Sequence, residues 1–343
     1  MWVWPAAYAA PLQGILRTSP ADFRVDEQMA LAFTGTGEHL WLQVRKTGQN
    51  TEWVARQLAR LAGIKPVDVG FAGLKDRQAV TTQWFSLYLP GRTDPVLDPL
   101  PEGVEILERV RHERKLKRGT LSANRFTLVL REVRGDVAQA EAIATSLREQ
   151  GMPNYFGAQR FGHEQGNLSA AESWFAGKTR PPKRHLQGLY LSAARSLLFN
   201  QVLAERVRQG NWNTAIRGDV FMLDGTGSWF ADEADATLST RLAAMDIHPS
   251  GPLWGRGELP VREAALALEQ ARLQPFATLR QGLEQHGLRQ ERRSLRCRID
   301  DLELEVLTAD CLQLRFSLPP GSYATMVLAQ LGDFLSLSSG SGD

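Results

Sequence analysis

Lys75-Asp76-Arg77 sets one acid between two cations, preceded by Gly70 and Gly73 and followed by the apolar run 84–89. Glycine permits turns that side chains forbid, and an apolar run rich in aromatics reads as a buried strand. Asp76 is therefore expected on a tight loop anchored by a rigid strand, the kind of loop that carries chemistry. Flanking positive charge favours the ionised form of a carboxylate. A charged, well-held carboxylate suits a nucleophile better than a proton donor. The same residues also suit a surface turn with local charge pairing, since ion pairs occupy turns as well.

The elements around this loop follow from hydrophobic periodicity. Residues 39–45 alternate with period two and read as a strand. Asn50 suits the N-cap of a helix over 51–62, Gly63 suits its C′ position, and Val54, Leu58 and Leu61 form its apolar face. Strands are expected at 104–110 and 125–130, and an alanine-rich helix at 136–150. This order predicts an α+β fold, a sheet with helices on one face rather than regular βαβ alternation. The middle of the chain is more helical, with helices over 190–209, 232–245 and 261–272 and a hairpin over 219–230. Strands return at 296–307 and 311–318, followed by a helix over 321–331. Strand-rich ends around a helical middle imply an insertion: a core of residues 1–152 and 295–335, an inserted domain over 153–294, and a Ser/Gly-rich tail, 336–343, expected to be disordered.

Composition narrows the class. The 343 residues are 43% hydrophobic and 23% charged, an ordinary globular balance. No apolar run approaches a membrane span, and the first twelve residues lack the basic start of a signal peptide. Two cysteines, Cys297 and Cys311, fit a reduced cytoplasmic protein better than a disulfide framework. The histidines show no metal-ligand spacing, so no metal is expected. Walker A and Gly-x-Ser-x-Gly patterns are missing, and Gly225-Thr-Gly227 reads as a turn. Asp300, Asp301, Glu303 and Glu305 lie on an alternating strand and read as solvated positions. The net charge is only +2, yet residues 105–134 carry nine Lys or Arg against four Glu. Further basic stretches are 178–184 and 289–298. Separated basic stretches on a nearly neutral chain suit a surface that tracks phosphates.

Asn124, Arg125 and Phe126 place an amide, a cation and an aromatic together at the start of a strand. A ring can stack on a base while an amide bonds its edge, although most strand aromatics are core. Tyr155, Phe156, Arg160 and Phe161 allow the same two readings. Phe23 and Tyr323 stand beside turns, where aromatics are less often core.

Five motifs together resemble the TruD family of tRNA pseudouridine synthases: Gly73-Leu-Lys-Asp-Arg-Gln-Ala-Val-Thr-Thr-Gln83, His112-Glu-Arg-Lys-Leu-Lys-Arg-Gly-Thr-Leu-Ser-Ala-Asn-Arg-Phe126, Pro153-Asn-Tyr-Phe-Gly-Ala-Gln-Arg-Phe-Gly162, Leu191-Ser-Ala-Ala-Arg-Ser-Leu-Leu-Phe-Asn200 and Pro319-Pro-Gly-Ser-Tyr-Ala-Thr325. The resemblance runs from about residue 14 to about residue 331. It implies a pseudouridine-synthase core, of mixed and mainly antiparallel sheet, interrupted by a family-specific domain. It implies isomerisation of uridine 13 of tRNA without cofactor or metal. Asp76 matches the family's catalytic aspartate. Phe23, Asn124 and Tyr323 match positions that hold the target uridine, with Tyr323 where many members have Phe. Phe126 matches the ring under the uracil, and Arg17 matches a basic residue that pairs with the acid. A base that reacts at its glycosidic bond must leave the stack, so base flipping is expected. Lys75 and Arg77 are expected to face Asp76 or RNA phosphate. Arg114, Lys115, Lys117, Arg118, Lys178, Lys183 and Arg184 are expected on the RNA backbone. The partner is tRNA, with no membrane and no protein partner implied, and a monomer is expected. Two other classes compete: a non-catalytic RNA-binding protein on the same fold, and a metal-dependent hydrolase using Asp76.

Overall fold

The computed structural model describes residues 4–117, 119–232 and 236–336. Arg118 and residues 337–343, most of the expected tail, lie outside them. The chain divides into two compact units. One comprises 11–144, 299–321 and the segment from Gly332, and the other 1–10, 145–298 and 322–331. The insertion is thus organised differently from the sequence expectation. The first ten residues and 322–331 group with the middle of the chain.

The first unit is built on a ten-stranded sheet. Its strands are β1 (Leu12–Leu16), β2 (Phe23–Gln28), β3 (His39–Thr47), β4 (Val69–Phe71), β5 (Val80–Tyr88), β6 (Val104–His112), β7 (Ala123–Gly135), β14 (Asp300–Thr308), β15 (Cys311–Leu318) and β16 (Gly332–Ser336). The main path runs β14-β15-β7-β2-β5-β3-β6. Only β1 with β16 and β2 with β5 pair in parallel, and the other ladders are antiparallel. Helix α1 (Thr51–Ala62) buries Val54, Leu58 and Ala59 against Leu40, Leu42 and Val44 of β3. Each such side chain is worth about 1.5–3 kcal/mol once removed from water. Gly63 ends α1 in the left-handed conformation, φ +61°, as expected of a C′ glycine. Asn50 makes no capping bond with its side chain, contrary to expectation.

Helix α1 covers one face of these strands, as the sequence predicts. The opposite face of β3 and β5 carries Trp41 and Trp84, covered by loop residues Phe33, Leu116 and Leu121. Trp41 donates its indole N–H to the Arg114 carbonyl at 2.9 Å, which satisfies the one polar atom of the ring. Both faces of the central strands are therefore dry, which makes the sheet a stiff support for the loops at its ends.

Helix α2 (Val137–Gln150) crosses the division between the units. The second unit then contains β8 (Met152–Pro153), α3 (Gly166–Phe175), α4 (Arg184–Arg208), β9 (Val220–Leu223), β10 (Trp229–Ala231), α5 (Ala236–Ala243), β11 (Ile247–Leu253), α6 (Glu263–Leu273), α7 (Ala277–Gln285), β12 (Glu291–Ser294), β13 (Arg296–Cys297) and α8 (Ala324–Leu331). Leu197, Leu198, Phe199 and Val202 of α4 are at the centre of its core. Among the described residues no helix is long and apolar enough to cross a membrane.

Candidate active site

Asp76 lies on the loop between β4 and β5, as the glycine-flanked motif predicts. The two glycines differ in purpose. A Cβ on Gly70 would sit 2.4 Å from the Leu116 carbonyl oxygen and 2.6 Å from the Ser86 hydroxyl, so only glycine fits there. Gly73 has open space around it and no such requirement.

A set of hydrogen bonds holds the loop. The Lys75 N–H donates to the Thr51 hydroxyl at 2.9 Å, and that hydroxyl donates to Gln83 Oε1 at 2.9 Å. Lys46 Nζ donates to the Asp76 carbonyl at 2.8 Å, and Arg77 Nε to the Gly48 carbonyl at 3.2 Å. Lys46 is fully buried. Burial pulls its ammonium down to about 8, with the nearby Lys75 adding to the fall and Asp76 opposing it. The Asp76 carboxylate accepts from the Gln78 N–H at 3.1 Å and pairs with Arg17 at 2.8 Å. It stays 27% exposed, against 14% for Arg17. Asp76 is thus an anchored carboxylate with one side left open.

Arg17 sits in the left-handed region, φ +64°, and its guanidinium lies 4.0 Å from the centroid of the Phe23 ring. Phe23 meets Phe126 edge to face at 6.3 Å, and Phe126 stacks on the buried Phe316 at 5.3 Å. Phe126 is itself only 8% exposed, so it serves the core as well as any ligand. The structure therefore brings Arg17, Phe23, Asp76, Asn124 and Phe126 into one unit through a continuous set of contacts. Tyr323 belongs to the other unit, where its hydroxyl accepts from Arg160 Nε at 3.0 Å.

The basic residues divide. Lys75, expected at Asp76 or phosphate, turns inward to Glu27 and Asn124. Lys115 donates to the Val67 carbonyl. Arg77, Arg114, Lys117, Lys178, Lys183 and Arg184 are exposed. The third basic stretch divides as well: Arg292 and Arg296 are buried, the first paired with Glu269 and the second bonded to His248 and backbone carbonyls, whereas Arg289 and Arg298 are exposed. Sequence reading missed Glu27, Lys46, Thr51 and Gln83. Two of them left a signal. Glu27 continues the buried phase of Phe23 and Val25, and Lys46 that of Leu40, Leu42 and Val44. A charge on a buried phase demands a partner.

Comparison with known proteins decides the family. The sequence model of tRNA pseudouridine synthase D (TruD) matches residues 6–174 and 168–331. The chain belongs to the TruD family. It is accordingly an enzyme of the isomerase class, a tRNA pseudouridine synthase. It is 50% identical over 327 residues to tRNA pseudouridine synthase D of Hydrogenovibrio crunogenus, covering 95% of this chain and 94% of that one. Identity to the TruD protein of Methylococcus capsulatus is also 50%, over 324 residues and 94% and 92% of the two chains. A crystal structure from Methanosarcina mazei assigned to TruD superposes with a TM-score of 0.73 at 20% identity, covering 96% of each chain. That last likeness establishes the shared α+β fold.

Proposed function

We propose that the chain isomerises uridine 13 of tRNA with Asp76 as the catalytic carboxylate. The observation that carries this reading is the anchored, half-open carboxylate of Asp76 beside Arg17, in a TruD family member. The reaction breaks the C1′–N1 bond, turns the uracil in place and joins C5 to C1′, so no atoms are gained or lost overall. The carboxylate engages the flipped nucleotide while Arg17, paired with it at 2.8 Å, holds it in position. Phe23 and Phe126 supply aromatic surface that offsets lost stacking, about 1–3 kcal/mol per base. Asn124 bonds the base edge. Tyr323 enters through the family resemblance alone, at a position that holds the target uridine. Exposed Arg77, Arg114, Lys117, Lys178, Lys183 and Arg184 contact phosphates, which makes binding fall with salt.

Asp76→Asn keeps the shape and removes the charge. It is expected to lower turnover by on the order of 10⁴-fold while tRNA affinity changes little, as read by pseudouridine formation and equilibrium binding. Substantial pseudouridine from this variant would sink the assignment. Activity without added metal separates this reading from a metal-dependent hydrolase, and turnover itself separates it from a non-catalytic RNA-binding protein.

A further inference from the structure

Asn124 and Glu27 stand opposite each other on β7 and β2. Lys75 reaches between them from the Asp76 loop. Its ammonium lies 2.5 Å from Asn124 Oδ1 and 2.9 Å from Glu27 Oε1. The contact with Glu27 is an ion pair rather than an aligned hydrogen bond. The side chains are 9% exposed for Lys75 and 0% for Glu27. Glu27 is itself fixed, because Oε2 accepts from the Trp84 N–H at 3.1 Å.

This arrangement decides which way the Asn124 amide points. An ammonium has donors only, so it tolerates the amide carbonyl and repels the amide NH₂. With Oδ1 turned to Lys75, the NH₂ faces away. Among the described residues nothing accepts from Nδ2. Asn124 is therefore presented outward as a donor. Uracil and cytosine share the O2 acceptor, but at C4 uracil carries a carbonyl and cytosine an amino group, so the C4 edge is where a donor tells them apart. A fixed donor suits the uracil O4 and opposes the cytosine amino group.

We infer that Lys75, locked by Glu27, is a positioning residue that fixes Asn124 as a hydrogen-bond donor and so selects uracil over cytosine. This rests on the proposal that Asn124 meets the target base, and it takes the meeting to be at the C4 edge. Lys75 does not touch RNA in this account; it sets the chemistry of its neighbour. Without it the amide is free to flip and to offer either edge.

The test measures equilibrium binding of two tRNAs that differ only in uridine or cytidine at the target position. Each variant is combined with Asp76→Asn so that no turnover intervenes. The parent is expected to favour uridine by about 10- to 100-fold. Lys75→Met should bring the two affinities within about threefold, chiefly by improving cytidine. Lys75→Arg, another donor-only cation, should restore the preference. If Lys75→Met fails to fold because Glu27 is left buried without its cation, Glu27→Gln with Lys75→Met removes both charges and carries the same expectation. An unchanged ratio, an equal loss of both affinities, or a parent that binds both RNAs alike each overturns the inference. Failure of the Asp76 reading shows separately, as a wild-type chain that makes no pseudouridine.

Discussion

The Arg17–Asp76 pair of one unit and two buried arginine–carboxylate pairs of the other are built to opposite ends. In the second unit Arg206 grips Asp219 with two bonds of 2.8 and 3.0 Å and donates to the Asn211 and Thr214 carbonyls. Arg292 grips Glu269 at 3.1 and 2.7 Å and also donates to the hydroxyl and carbonyl of Ser250. Both pairs are buried, and their donors are shared out among protein acceptors. In the first unit, Arg17 has Asp76, a ring face and a buried Nε without a hydrogen-bond partner. Its carboxylate is partly open to solvent. Charge that is fully satisfied holds a fold together; charge left partly unsatisfied and accessible is available to a substrate.

The comparison breaks most visibly at Arg292. Arg292→Leu leaves Glu269 buried without its cation, in a site whose burial already pushes the carboxyl upward against the pull of Arg292. Loss of one partner of a buried pair costs about 3–5 kcal/mol. Urea unfolding should show that loss. Replacing both partners by apolar residues, Glu269→Leu with Arg292→Met, should recover much of it. Equal destabilisation by the single and double variants would mean that the pair acts through packing.

Arg17→Met probes the opposite case. An accessible pair contributes little to stability, about 0–1 kcal/mol, so the unfolding free energy should barely move. Turnover should drop by about 10²-fold, the scale expected when a reacting carboxylate loses the group that orients it. A variant that unfolds readily yet turns over normally per folded molecule would place Arg17 with the structural pairs.

How far the sequence disclosed this contrast varies by residue. The loop at Asp76 was legible because glycines, cations and an apolar strand follow one another locally. The helix over 51–62 was legible to the residue, since its apolar face and terminal glycine are local signals. The inward turn of Lys75 was not, because its partners lie 48 and 49 residues away and are brought near by sheet register. The burial of Arg292 and Arg296 in the 289–298 stretch was hidden for the same reason. Its charge was counted, but the acid that neutralises Arg292 is on α6. Strand β11, Ile247–Leu253, escaped notice because it contains two prolines and a glycine, which ordinarily argue against a strand.

Lys46 sharpens the contrast through pH. It lies in the site unit but is buried like the structural pairs. Its ordinary value near 10.5 falls to about 8 on folding. The unfolded chain then holds the proton more tightly than the folded one between about 8 and 10.5. Stability must rise with pH across that window, because the unfolded state binds more protons there. Below about 8 the full cost is present. The unfolding free energy of the wild type, measured against Lys46→Met, should therefore gain about 2 kcal/mol between pH 7 and 9.5. A flat difference would show that the buried ammonium is compensated in full by the Asp76 carbonyl and carboxylate.

The smallest effect is expected at Tyr323, and it tests whether a residue of the second unit belongs with the satisfied groups. Its hydroxyl accepts from Arg160, which also donates to the Ser192 hydroxyl at 2.9 Å and lies 5.3 Å from the Phe156 ring centroid. The ring packs edge to face on Phe156 and closely over Gly157, where a Cβ would come within 3.0 Å of it. The hydroxyl is thus engaged within the protein, and the ring alone remains for stacking. Tyr323→Phe removes one part-buried hydrogen bond, and its donor, Arg160, keeps the bond to Ser192. The expected loss is about 0.5–1.5 kcal/mol of stability, with turnover within about twofold of wild type. A turnover loss well beyond the stability loss would mean that the hydroxyl leaves Arg160 to meet the nucleotide, and Tyr323 would then join Asp76 and Arg17 as a group whose bonding is completed by substrate.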